Sequence, residues 1–244
     1  MTLLKPLHIL ARTGDIADKV IVCGDPARVE QIATTILKDS ILVNRNRGFI
    51  VYTGYYDDIK VSVANHGIGG PSAAIVFEEL RMLGAKVIVR LGTAGALTRE
   101  LKIGDFVVAT GAAYAFGGNT LGMYVPDGCM AAVPDFELTV ALVESARKLG
   151  ENVKVGPVFS SDAFYAENPD FAKKWSSRGI IAVEMECASL FTLGLMRGFK
   201  AGALLIISNN LLEPSLGFAQ AEELKSRVEK AAKIVLEAMK RVQV

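Results

Sequence analysis

Lys86 to Asp105 reads KVIVRLGTAGALTRELKIGD, and the fold turns on how this stretch is read. Val87, Ile88, Val89 and Leu91 spell a buried strand, too short and too β-branched for a helix, and Gly92, Thr93, Ala94 and Gly95 are expected to end it in a tight small-residue turn. Arg90 does not belong there. A guanidinium keeps its proton and is costly to bury unless an anion meets it. One account is a structural ion pair or a strand end reaching solvent. The other is an oxyanion site, with Arg90 as a fork and the Thr93 hydroxyl and backbone N–H groups of the glycine-containing turn as further donors at the carboxyl end of a strand.

Composition narrows what such a site serves. The chain has 244 residues, 51% of them hydrophobic, enough for one large α/β unit or two small ones. A net charge of +1 provides no field for nucleic acid or a membrane surface, so an anion must be met locally. The apolar run Ala201 to Ile207 is far shorter than a bilayer span, and Lys5 and Pro6 interrupt Leu3 and Leu4 where a signal peptide needs an apolar core. Cys23, Cys129 and Cys187 make no paired framework and lack zinc-type spacing. Cys23 and Cys187 read as core, while Cys129 leaves an inter-subunit bridge open. A soluble cytoplasmic protein is expected.

Upstream, Val20 to Cys23 is a strand stopping at Gly24-Asp25-Pro26, and Val29, Ile32, Ala33, Ile36 and Leu37 then recur at helical spacing. Asp25 is the expected N-cap with Pro26 at the first helical position; Gly24 allows close backbone approach, and Arg28 lies one turn in. Asn44 to Gly48 is a basic loop, with strands expected over Phe49 to Thr53 and Ile59 to Ala64 and a turn over Gly54 to Asp58. In Asn65 to Ser72, only Gly67 and Gly69 fit G-x-G-x-x-G and Ser72 takes the third glycine's place. The next strand carries Arg90 where a ribose-binding acid is wanted, which counts against a nicotinamide site. His66 alone reads as structural, and a helix is expected over Ser72 to Leu83.

Downstream, strands are expected over Ile103 to Thr110, Val155 to Phe159, Ile180 to Val183 and Lys200 to Ile207. Helices are expected over Asp135 to Leu149, after Asn168 as the cap of a helix starting at Pro169, after Glu186, and over Glu222 to Val242. Gly111 to Met130 is a long, poorly periodic connection, functional or misassigned. Glu184 and Glu186 precede an apolar helix, where its dipole accounts for one carboxylate. The second suits a vicinal diol, one hydroxyl per oxygen. Strand ends at Gly24, His66 to Gly70, Arg90 to Thr93, Ser160 to Asp162 and Ser208 to Asn210 are polar or glycine-rich, and in an α/β sheet such ends gather in one crevice. An anion plus a ribose is the inferred cargo.

Gly24-Asp25-Pro26 with Arg28, Asn44 to Gly48 with Arg47, His66-Gly67, Arg90 to Gly95, Ser160 to Tyr165 (SSDAFY) and Val183 to Glu186 (VEME) resemble the family of hexameric purine nucleoside and uridine phosphorylases, in order along essentially the whole chain. The wording of WSSRG and ECASLFTLG is most similar to archaeal 5'-methylthioadenosine and purine nucleoside phosphorylases. The resemblance implies one α/β domain over residues 1–244 with a mixed, partly barrel-like central sheet covered by helices. It implies phosphate binding by Gly24, Arg28, Arg90 and Thr93, with Arg47 from a neighbouring subunit. It implies that Glu186 and Met185 hold the ribose, with the neighbour's His8 at the 5' end, and that Phe159, Ser208 and Asn209 meet the base. It also implies a homo-oligomer, a hexamer built as a trimer of dimers, with no metal or other cofactor and inorganic phosphate as co-substrate.

The implied reaction is reversible phosphorolysis of purine ribo- and deoxyribonucleosides to the free base and the sugar 1-phosphate, with Arg90 and Asn209 as its catalytic residues. Relatives that cleave adenosine carry Asp after the serine of the last strand, where this chain has Ser208-Asn209. An amide cannot act as an acid but can donate to a 6-oxo group, which predicts a preference for inosine and guanosine. Similarity to methylthioadenosine enzymes points to 5'-methylthioadenosine or adenosine instead. Uridine phosphorylase fits less well, since Ala166, Glu167 and Asn168 stand where a uracil-reading Gln and Arg are expected. A water-using nucleosidase and a non-catalytic nucleoside-binding protein are the remaining alternatives.

Overall fold

The computed structural model describes residues 5–166 and 169–244. The strands are β1 (Lys19–Cys23), β2 (Lys38–Asn44), β3 (Val51–Tyr56), β4 (Ile59–Asn65), β5 (Val87–Ala96), β6 (Phe106–Tyr114), β7 (Val153–Ser160), β8 (Ala182–Glu184) and β9 (Lys200–Asn210). The helices are α1 (Pro26–Thr35), α2 (Gly70–Met82), α3 (Leu121–Tyr124), α4 (Phe136–Lys148), α5 (Pro169–Ser176), α6 (Cys187–Arg197) and α7 (Lys225–Arg241). The strands form one mixed sheet in the order β2-β3-β4-β1-β5-β8-β7-β6-β9, and β5 pairs again with β9. That pairing closes β5, β8, β7, β6 and β9 into a barrel, while β1, β4, β3 and β2 extend from it as an open wing.

β5 departs from expectation where it matters most. It does not turn at Gly92 but continues to Ala96, paired with β9 from Val87↔Lys200 to Ala96↔Asn210 with one slip between Ala94 and Gly95. The small residues serve close packing instead of a turn. A Cβ on Gly92 would lie 2.7 Å from Cζ of Arg90, and one on Gly95 would run into Leu211 and lie 3.0 Å from Oδ1 of Asn209. On the other edge, β1 pairs with β5 only as far as Val22↔Arg90, and β8 takes over only at Gly95↔Val183. Leu91 to Ala94 therefore present an edge to which no described strand is paired.

Both faces of the sheet are covered, which explains why β5 reads as a continuous apolar run rather than an alternating one. Ile88, Leu205 and Ile207 pack with Phe77 and Leu80 of α2 and Phe191 of α6. Val87, Val89 and Leu204 pack with Ile32 of α1, Leu138 of α4 and Val235 of α7. Each such side chain contributes roughly 1.5–3 kcal/mol by leaving water.

Several boundaries move. β2 was not anticipated because it is an edge strand whose Ile41 and Leu42 are exposed, so it lacks a buried alternating face. β3 runs through Gly54 to Tyr56, and the turn is confined to Asp57, at φ 49°, and Asp58. Ser208 to Asn210 stay within β9, and α7 starts at Lys225 rather than Glu222. The expected cap Asn168 lies outside the described residues. Asp25 and Asp135 cap as expected, accepting from the N–H groups of Ala27 and Leu138.

Candidate active site

Arg90 is buried, so its charge is met entirely by neighbours. Its Nε donates to Oε2 of Glu184 at 3.0 Å, its Nη1 to Nε2 of His66 at 3.0 Å, and its Nη2 pairs with Oε2 of Glu186 at 2.5 Å. The structural ion pair is what the structure shows, and two of the five N–H groups of Arg90 make no hydrogen bond to a described residue.

Glu184 holds this arrangement together. Its oxygens accept from Arg90, from the Ser160 hydroxyl at 2.5 Å and from the main-chain N–H groups of Glu186 and Cys187 at 2.8 to 3.1 Å. One carboxylate therefore caps α6 and aims the guanidinium, which is the dipole role expected of one of the two acids. Glu186 accepts from the Gly69 N–H at 2.7 Å. Burial pushes its carboxyl above the usual range, opposed by Arg90 and assisted by Glu184. With Arg90 and Gly69 each on a separate oxygen, each oxygen retains a lone pair for a further donor.

His66 carries a role that its sequence context concealed. Burial and the adjacent Arg90 hold its pKa well below 6.5, so it is neutral at pH 7 and accepts from Arg90 through Nε2. The proton then sits on Nδ1, which is buried with no hydrogen-bond partner among the described residues. Because the folded pKa is depressed, the unfolded chain takes up the proton first as pH falls. Stability is intact above the unfolded value of about 6.5 and is lost on going down towards the folded one. Denaturant unfolding at about pH 5 and about pH 7.5 checks this: the wild-type loss exceeds that of His66→Gln, and equal losses would sink the assignment.

Arg28 and Thr93 lie along the unpaired edge of β5, and Gly24 packs on the turn that carries His66 and Gly67. A Cβ on Gly24 would come within 3.1 Å of the Gly67 carbonyl oxygen and 3.6 Å of the His66 ring. Arg28 Nη1 donates to the Leu91 carbonyl at 3.4 Å, and Arg28 and Arg90 both act electrostatically on His66 and Glu186. Both guanidinium groups thus lie within electrostatic reach of the same two side chains. Thr93, half-buried, is on the same edge. Gly92→Ala is expected to push the Arg90 guanidinium aside, since a Cβ meets Cζ, Nη1 and Nη2 at 2.7 to 2.9 Å. The measurement is urea unfolding, in which the variant should be destabilised by about 1–3 kcal/mol, the usual cost of overpacking a filled interior; an unchanged stability means that the guanidinium is not held as described.

On the barrel side, the Ser208 hydroxyl lies 3.2 Å from Oδ1 of Asn209 and 3.3 Å from the Ala94 carbonyl. Asn209 is half-buried beside Gly95 and bridges to Phe218. Phe159 is buried, its ring 4.2 Å from that of Trp175 and 5.3 Å from that of Phe171, so it belongs to a satellite core with Leu97 and Val183. Met185, half-buried, is next to Glu186 between β8 and α6. A hollow of about 630 Å³ lined by Gly104, Phe218 and Arg227 lies behind the end of β9, not over Arg90.

His8 is joined to the loop that carries Arg47, and not to Arg90. Nδ1 of His8 is 2.7 Å from Oε1 of Glu79, whose carboxylate also accepts from the main-chain N–H groups of Leu7, His8 and Ile9. Asn46, next to Arg47, donates to the His8 carbonyl at 3.1 Å. Glu79 is nine residues along α2 from Gly70, about 13 Å of helix from the corner where Gly69 meets Glu186. Ser160, His66 and Glu184 acquire their roles only here; the signal available for Glu184 was a second acid beside a first.

Among the described residues no cluster of His, Cys, Asp or Glu is arranged to hold a metal, and no helix is long and apolar enough to cross a membrane. All three cysteines are free, with Cys23 and Cys187 buried as expected and Cys129 exposed. Burial pushes the Cys23 thiol up to about 11, far from a nucleophile's range.

Comparison with known proteins places this site in a lineage. The chain is 38% identical over 240 residues to a guanosine phosphorylase of Halorubrum lacusprofundi, covering 96% of this chain and 98% of that one. It is 36% identical over 233 residues to a DeoD-type purine nucleoside phosphorylase of Clostridium perfringens, covering 95% and 97%. Its fold matches the crystal structure of purine nucleoside phosphorylase from Toxoplasma gondii in complex with immucillin-H with a TM-score of 0.88 at 30% identity, covering 98% of this chain and 96% of that one. A family model described as the phosphorylase superfamily matches residues 18–243, and the chain belongs to that family.

Proposed function

We propose that this protein is a purine nucleoside phosphorylase, a pentosyltransferase that cleaves purine nucleosides with inorganic phosphate and prefers 6-oxopurines such as inosine and guanosine. The observation that carries the reading is Arg90, clamped by Glu184, Glu186 and His66 with two N–H groups free of described partners, next to the unpaired strand edge where the Leu91 carbonyl accepts from Arg28. Phosphate would take those donors together with Thr93 and the main chain at Gly24. The two ribose hydroxyls would take the lone pairs left on Glu186, beside Met185. A single guanidinium then touches both the nucleophile and the carboxylate that orients the sugar.

Breaking the glycosidic bond leaves positive charge on the ribose, which a phosphate dianion held beneath the ring stabilises and then attacks. Asn209 would face the base with Ser208 behind it and Phe159 at the pocket wall. Its amide cannot deliver a proton but can donate to a 6-oxo group, and the guanosine phosphorylase relative supports that choice. His8 is joined to the loop that carries Arg47, away from Arg90, which supports their completing a neighbour's site in a hexamer made of dimers. No cofactor beyond the phosphate co-substrate enters this reading. Residues 1–244 act as one domain, in a cytoplasmic setting.

Base release from inosine, guanosine and adenosine, followed with and without phosphate, tests the proposal. Phosphate-dependent release with formation of ribose 1-phosphate, faster for inosine than adenosine, is expected. Release without phosphate, or none, overturns the activity, and faster adenosine cleavage overturns the base preference.

A further inference from the structure

The connection between β6 and α4 contains a fully buried polar residue, Asn119, which the site as built above does not use. Its φ of 54° lies in the left-handed region, which asparagine tolerates better than most side chains. Its main-chain N–H donates to Oδ2 of Asp162 at 2.6 Å, and its Nδ2 donates to Oδ1 of Asp162 at 3.3 Å and to the Met185 carbonyl at 2.8 Å. Its Oδ1 accepts from the main-chain N–H of Ser189 at 3.0 Å and from the Ser189 hydroxyl at 2.5 Å. The Ser189 hydroxyl, with one proton, is also 2.6 Å from the Asn119 main-chain carbonyl, so both amide protons are committed and Oδ1 is buried against Ser189, which leaves Asn119 no donor to offer a substrate.

Its contacts instead converge on Glu186 from two sides. On one side Asn119 fixes the carbonyl of Met185, which immediately precedes Glu186 in the non-helical corner between β8 and α6. On the other, Gly70 packs directly on its peptide: a Cβ there would lie 2.7 Å from the Asn119 carbonyl carbon. Gly69, the donor to Oε1 of Glu186, is the preceding residue.

We propose that Asn119 is the positioning residue for the sugar end of the site, holding Met185, Glu186 and the Gly69 N–H in register for a vicinal diol. This rests on the sugar-binding reading of Glu186 given above. Loss of the Asn119 side chain then weakens discrimination between ribo- and 2'-deoxyribonucleosides, while the phosphate side is spared, because Arg90 keeps its bonds to Glu184 and His66 and Asn119 touches none of Arg28, Thr93 and Gly24.

Asn119→Gly tests this, because glycine keeps the backbone conformation and the N–H to Asp162 while removing the side-chain bonds. The KM for inosine should rise about tenfold, and those for 2'-deoxyinosine and phosphate less than about threefold. Ser189→Ala, which leaves the Met185 bond in place, should retain the wild-type ratio of inosine to 2'-deoxyinosine. A uniform fall in kcat with unchanged KM values and an unchanged ratio means a merely structural role and overturns the proposal. Should Asn119→Gly not fold, Asn119→Asp, which keeps the shape but turns the donor to Met185 into an acceptor, is read by the same ratio. If the wild type shows no phosphorolysis, the proposed function fails separately, and calorimetric binding of inosine and 2'-deoxyinosine decides: discrimination lost in the variant supports the positioning role, whereas equal discrimination in both proteins, or none in either, overturns it.

Discussion

Arg90→Ala lowers kcat/KM for phosphate by about a thousandfold or more. Removing one preorganised oxyanion donor typically costs about 10²–10³ in rate, and Arg90 supplies two free N–H groups together with the charge that balances Glu186. The same change leaves Glu184 and Glu186 buried without their counter-charge, a defect worth about 3–5 kcal/mol when a buried pair is broken. Burial has already raised the pKa of Glu186, so proton uptake there softens the loss. Arg90→Lys separates the two effects: it keeps a cation near both acids but cannot reach Glu184, His66 and Glu186 at once, so the fold persists while phosphate use stays about a hundredfold down. Steady-state kinetics at varied phosphate, with urea unfolding on the same samples, provide the readout. A KM for phosphate within about twofold of wild type in Arg90→Ala removes the phosphate site from this part of the molecule.

Asn209→Asp reverses the base preference. An aspartic acid at that position can pass a proton towards N7 and accept from a 6-amino group, and general acid assistance is worth about 10²–10⁴ in rate. The local geometry admits the change without rebuilding: the side-chain oxygen already lies beside the Ser208 hydroxyl at 3.2 Å and over Gly95, where no Cβ intervenes. Adenosine turnover is expected to gain about a hundredfold over inosine turnover. Competition between the two nucleosides in one vessel, resolved by chromatography of the released bases, gives the ratio directly. A ratio unmoved by the substitution means that the base is read by other groups.

What was legible in the chain was legible for physical reasons. Arg90 announced itself because a permanent cation in an apolar strand demands a counter-charge. The two acids of VEME announced themselves because a helix start explains only one. Asp25, Pro26 and Asp135 marked helix starts through local hydrogen bonding that needs no distant partner. Most of the core followed from hydrophobic runs, including the buried stripe of Val228, Ala231, Val235 and Met239.

Local signals failed where the answer depended on residues far along the chain. Gly92 to Gly95 have turn-like composition, yet β9, more than a hundred residues later, supplies the pairing that keeps them extended and closes the barrel. His66 and Asn119 look ordinary in sequence because what distinguishes them is the company they keep. His66 accepts from Arg90 across 24 positions, and Asn119 reaches Met185 and Ser189 across 66 and 70. The sequence by itself determined residue chemistry and local conformation: which groups carry charge, where helices begin and which runs are buried. Only the tertiary structure decided that β1 and β8 leave an open edge on β5, and that Glu184 takes Arg90's Nε while Glu186 takes Nη2, because strand pairing and buried hydrogen bonds are set by closure of the whole sheet rather than by any neighbouring residue.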